Sequence, residues 1–163
     1  MKDLKEETIN LLKSRGVTIR DIAELTMFLQ AKYHEDLTIE ECEETIHSML
    51  DKREVQYAIL TCIAFDMAAE ENKFIEPVNT LIKEDSILYG LDETLALGVT
   101  NLYGSIGFTN YGYIDKVKPG ILKELDRKGK AKEMCTTFLD DVVGALAAAA
   151  ASKIAHTKKQ NFS

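Results

Sequence analysis

Three groups of acids stand out in the second half of the chain: Asp92-Glu93, Asp115 and Asp140-Asp141. Lys118-Pro119 follows the middle one. Carboxylate oxygens on separate segments are the ligands a hard divalent ion such as Mg²⁺ prefers. A fixed ammonium beside them can meet a phosphate oxygen as charge develops there. The chemistry this pattern could perform is metal-assisted handling of a phosphate ester. Each pair also has a plainer use, since acids in the first turn of a helix gain about 0.3–1 kcal/mol from its dipole. Context separates the two uses. Asp140-Asp141 is flanked by Phe138-Leu139 and Val142-Val143, which draws at least one carboxylate inward, where a charge is costly unless paired or metal-bound. Lys118 lies one helical turn after Asp115, close enough for a surface ion pair or for a shared site.

The elements that must position these residues are all helical in pattern. Residues 3–14 carry Leu4, Ile9, Leu11 and Leu12 at helical spacing and stop at Arg15-Gly16. Thr18 with Asp21, and Thr38 with Glu41, have the spacing of capping boxes. Residues 51–71 are apolar nearly all round through their middle, which predicts a central, buried helix. Pro77 opens a short helix over 77–84. Gly90 precedes a helix from Leu91 to about Tyr103. The glycine-spaced stretch 104–112 predicts a connection, residues 113–125 a further helix and 126–135 a charged loop. Thr136 or Thr137 is expected to cap a last helix, about 138–157, whose Ala147–Ala151 run permits close helix approach. No stretch alternates with the period of a strand. The expected fold is all-α, a single-domain multi-helix orthogonal bundle of about seven helices ending in a small-residue helix.

Composition narrows the class further. With 163 residues, 45% hydrophobic, 2 Pro and 9 Gly, the chain is long enough to bury a real core and favours helix. Cys42, Cys62 and Cys135 form no C-x-x-C pair and suit free thiols in a cytoplasmic protein. His34, His47 and His156 stand apart from one another. The longest apolar run, Val142 to Ala151, would rise only ~15 Å as a helix, about half a bilayer core. Residues 1–93 hold 21 acids and 10 bases, while residues 94–163 hold 6 acids and 10 bases. The acidic half disfavours nucleic acid, and the bases over 116–132 form either a solvated face or an anion-attracting rim beside Asp115.

At the three acidic clusters the sequence resembles the phosphatidylglycerophosphatase A family. The matching segments are GLDETLALG with Asp92-Glu93, YGYIDKVKPGIL with Asp115, Lys118 and Pro119, and FLDDVVGALAAAA with Asp140-Asp141. Order and rough spacing agree over about residues 85–155, and residues 1–50 read as a helical extension to a core over 51–157. The likeness is closest to a Gram-positive branch without membrane spans, of low-temperature-requirement type. The family removes a phosphate from phosphatidylglycerophosphate with Mg²⁺. The resemblance therefore implies Asp92, Glu93, Asp140 and Asp141 as ligands of Mg²⁺ or Mn²⁺, and Asp115, Lys118 and Asp141 as catalytic residues. The chain departs from the pattern at Gly112, where the family has an arginine, at Ala96, and at Gly120-Ile121-Leu122.

Two functional readings lead, ahead of an all-α nucleotide pyrophosphohydrolase, for which Glu40-Glu41-Glu43-Glu44 is the one run of helix-spaced acids and reads as a solvated face. The first is a Mg²⁺-dependent phosphatase acting on a phosphomonoester, phosphatidylglycerophosphate or a soluble relative, with membrane contact at most peripheral. The second is a catalytically silent helical module that binds or regulates and has kept the fold. A homo-oligomer is expected, because a stripe of small side chains invites a close-packed partner, and the resemblance points to a tetramer or dimer.

Overall fold

Thr18 and Thr38 each accept the backbone N–H of the third helical residue, and Asp21 and Glu41 return a bond to the cap backbone. Local chemistry of this kind starts the first helices where the sequence says it should. The computed structural model describes residues 3–160. Among them are nine helices and no strand: α1 (Leu4–Ser14), α2 (Ile19–Gln30), α3 (Ile39–Met49), α4 (Arg53–Glu70), α5 (Val78–Lys83), α6 (Leu91–Thr100), α7 (Ser105–Val117), α8 (Ile121–Lys130) and α9 (Leu139–Gln160). Among the described residues no helix is long and apolar enough to cross a membrane.

The centre of the fold is α9, not α4. Every residue from Leu139 to Ser152 is buried, and α2, α3, α4, α6, α7 and α8 all pack on it. Alanine makes this possible, because a helix clad in methyl groups lets several neighbours approach its axis at once. In contrast α4 exposes Tyr57 and Met67 and buries one face. Apolar content alone suggests the reverse, since it does not report which side chains are small enough to be surrounded. The alanine run is thus covered within the chain and offers no stripe to a second copy. Ala148→Leu should destabilise the protein by about 1–3 kcal/mol through overpacking, read as a lower midpoint in urea.

Three other boundaries differ from expectation. The stretch Gly104–Gly112 lies largely inside α7 rather than between helices. Gly107 is needed there because a Cβ would come within 3.3 Å of the Thr100 carbonyl, where α7 turns back on α6. The expected loop 126–135 is helical to Lys130. The expected helix over 113–125 is broken at Lys118-Pro119-Gly120 into the end of α7 and the start of α8, with Lys118 in the left-handed region at φ 45°.

Candidate active site

Helices α6 and α9 deliver their acids from their first turns. Gly90, at φ 65°, turns the chain into α6, placing Asp92 and Glu93 at its start. Asp92 is buried and its Oδ1 accepts the Glu93 N–H at 2.9 Å, while Glu93 is exposed. Asp140 and Asp141 occupy the first turn of α9 and are both buried. Helix α7 supplies Asp115 near its end and Tyr111 one turn earlier. The left-handed backbone at Lys118 folds its side chain back over both elements. Its ammonium donates to Asp115 Oδ1 at 3.2 Å and to Asp140 Oδ2 at 2.7 Å. A non-glycine residue in this conformation costs about 1–3 kcal/mol, so the ion pairs hold it against local preference.

The charge balance of this cluster is lopsided. Burial pushes the Asp140 and Asp141 carboxyls well above the usual carboxylate range; Lys118 pulls Asp140 down, and Asp140, Asp92 and Asp115 push Asp141 up further. Glu93, though exposed, is raised by partial desolvation, then by Asp92, Asp115 and Asp85. Burial works against the Lys118 charge, yet Asp140 and Asp115 hold its pKa above the ordinary lysine value. All six sequence-designated residues therefore share one electrostatic neighbourhood. Among the described residues, Lys118 is the one base in ion-pair contact with any of these acids. Among the described residues, the Tyr111 hydroxyl, buried beside Asp141, meets no partner at hydrogen-bond geometry. The carboxylates do not, however, stand as a ready-made shell: among the described residues no three His, Cys, Asp or Glu side chains are placed to hold an ion.

Two acids that sequence reasoning passed over belong here. Asp66, on α4, is fully buried and accepts the N–H groups of Phe138 at 3.0 Å and Leu139 at 2.8 Å. It caps α9 in place of the expected threonines, whose hydroxyls donate instead to carbonyls of Leu125 and Ile82. Burial pushes Asp66 up to about 7, against the pull of those two N–H groups. A lone acid amid the apolar middle of 53–70 was the available signal. Asp85, at φ 47° after α5, is within electrostatic reach of Asp92, Lys118, Asp126 and Asp115. A cavity of about 250 Å³ opens beside Asp140 and is lined by Asp85, Lys83, Asp126 and Lys130 among others.

The basic rim over 116–132 is largely answered by its own neighbours. Arg127 pairs with Glu124 and Glu133, Lys130 with Asp126, and Lys132 with Glu84. Only Lys118 from this segment is in contact with the acidic cluster. The three thiols are buried, and burial raises them to about 11 for Cys42 and about 12 for Cys62 and Cys135, so none is a ready nucleophile.

This all-α fold, with its acidic motifs on α6, α7 and α9, is that of a known family. Residues 8–156 match the family model for phosphatidylglycerophosphatase A, and the chain belongs to that family. The match takes in most of residues 1–50, and α2 and α3 pack directly on α9. Among individual proteins, the chain is 59% identical over 145 residues to the uncharacterized protein YutG of Bacillus subtilis (strain 168), covering 89% of this chain and 86% of that one. It is similar to the crystal structure of the low temperature requirement C protein from Listeria monocytogenes, with TM-score 0.92, 51% identity and coverage of 97% and 98%. A protein of unknown function from Bacillus stearothermophilus is similar to nearly the same degree in structure, with TM-score 0.91, 55% identity and 96% of each chain covered.

Proposed function

We propose that this chain is a Mg²⁺- or Mn²⁺-dependent phosphomonoester hydrolase, acting on phosphatidylglycerophosphate or a soluble phosphomonoester. The observation that carries the proposal is the Lys118 ammonium bridging Asp115 and Asp140, with Asp141, Asp92 and Glu93 in the same electrostatic neighbourhood, in a member of this family. The donor set fits a hard cation, being oxygen only and short of positive charge. Asp92, Glu93, Asp140 and Asp141 would hold it, directly or through water. When bound, it supplies Lewis-acid polarisation of the phosphate oxygens.

The chain's own residues do the rest. Asp115, half-buried next to Lys118, orients the attacking water and accepts its proton. Lys118 would present its ammonium to a phosphate oxygen, where it would oppose charge spreading over the equatorial oxygens. The buried Tyr111 hydroxyl is free to donate to the ionised Asp141 carboxylate and hold its orientation. The test is inorganic phosphate release by wild type and Lys118→Met. The variant should keep Mg²⁺ binding and lose turnover by on the order of 10²-fold; undiminished turnover in Lys118→Met would remove the lysine from the reaction. The silent-module reading draws on the absence of a ready-made ligand shell among the described residues, and it requires wild type to release no phosphate and to bind no Mg²⁺.

A further inference from the structure

Asp66 and Glu70 lie one turn apart on α4, on the face that meets the approach to α9. Both reach the same short segment, residues 135–139, immediately before Asp140-Asp141. Asp66 takes the Phe138 and Leu139 N–H groups, one on each carboxylate oxygen, and also the Cys135 thiol at 3.4 Å. Glu70 takes the Cys135 N–H at 2.7 Å. Arg15, at the turn after α1, closes the arrangement. Its guanidinium forks onto both oxygens of Glu70, at 2.5 and 3.2 Å, and donates to the Cys135 carbonyl at 3.0 Å. Four backbone groups of this segment are thus held by side chains from elements distant in sequence. Arg15 is mostly buried and Asp66 wholly so, which makes these bonds hard for water to replace.

This is more than a cap requires. An ordinary cap is one serine or threonine oxygen on one free N–H of the first turn, and two threonines stand at hand with their hydroxyls committed elsewhere. Directly after the clamp, α9 carries a pair that sets it apart from the other eight helices: two consecutive buried acids, both needed in one orientation. Resting on the proposed metal-dependent reading, we infer that Asp66, Glu70 and Arg15 are positioning residues that fix the start of α9 so that Asp140 and Asp141 can ligate a cation. None of the three is a catalytic residue: each acts through the backbone that carries the ligands. Groups that orient ligands in this way, when removed, typically weaken metal binding by about 10–100-fold.

The experiment is Mn²⁺ binding to the full chain, followed by loss of the free-ion electron paramagnetic resonance signal, well below every variant's unfolding temperature. Glu70→Gln is the principal variant, because Glu70 is about a third exposed and the fold should survive its loss. Asp66→Asn is the second: asparagine keeps the shape but turns an N–H₂ toward one of the two backbone donors. Ile46→Val, in the core of α3 and away from the clamp, destabilises without touching it. The expected result is Mn²⁺ affinity at least about tenfold weaker in Glu70→Gln and Asp66→Asn, and unchanged in Ile46→Val. Wild-type affinity in Glu70→Gln, or an equal loss in Ile46→Val, overturns the clamp while leaving the metal reading intact. Absence of Mn²⁺ binding by wild type overturns both together.

Discussion

Asp141→Asn is expected to abolish Mg²⁺-dependent phosphate release, by on the order of 10²–10³-fold or more, while making the metal-free protein more stable. The two effects have one cause. Asp141 is buried, its carboxyl is forced upward by burial and by Asp140, Asp92 and Asp115, and no base among the described residues is in ion-pair contact with it. Its ionised form therefore burdens the fold unless a cation is present. An amide of the same shape removes that burden, and the gain should be about 1–4 kcal/mol at pH 8 without metal. Asp115→Asn should also stop turnover, but its partner Lys118 retains Asp140, so stability changes little. Helical circular dichroism should persist in both variants. Unchanged turnover in both would sink the site assignment; a destabilised Asp141→Asn would contradict the view that this carboxylate is kept for chemistry.

The second large effect is in pH. Asp140, Asp141 and Asp66 all have folded values raised above the ordinary carboxylate range, so the fold favours their neutral forms. A raised acid contributes stability that is whole below its unfolded pKa of about 4 and is lost as pH rises through the folded value. The metal-free protein should consequently melt at a lower temperature at pH 8.5 than at about pH 5.5. Acids held below their ordinary values, Glu84 and Glu124 among them, lose their contribution only at still lower pH and do not disturb that window. Cation binding needs the ionised forms and must release protons. Mg²⁺ should therefore raise the melting temperature strongly at pH 8.5 and weakly at pH 5.5. At a hundredfold excess over Kd the stabilisation is about 2.7 kcal/mol. Differential scanning calorimetry at the two pH values measures it, and a Mg²⁺ shift independent of pH would count against ligation by these acids.

How much of this is legible in the sequence depends on the range of the interactions. Thr18 with Asp21 and Thr38 with Glu41 act within one turn, and both capping boxes form as their spacing says. Asp92-Glu93, Asp115, Lys118 and Asp140-Asp141 are visible because their motifs are short and their context is apolar or small. Asp66 is hidden because the groups it satisfies lie 72 and 73 residues away, and one acid in an apolar helix carries no local sign of its partner. The burial of α9 is hidden for a different reason. Alanine favours helix wherever it sits, so an alanine run declares the element and is silent about its surroundings. Gly112 is informative in the opposite sense: a Cβ there would meet nothing within 4 Å, so packing does not demand glycine at that position.

The most direct test is phosphate release by the metal-stripped wild-type protein, with and without added Mg²⁺, across a panel of phosphomonoesters that includes phosphatidylglycerophosphate in detergent. The expected result is turnover of at least one substrate that appears with Mg²⁺, disappears with chelator and is lost in Asp141→Asn. Phosphate release from none of them, or release indifferent to Mg²⁺ and to Asp141, would contradict the account.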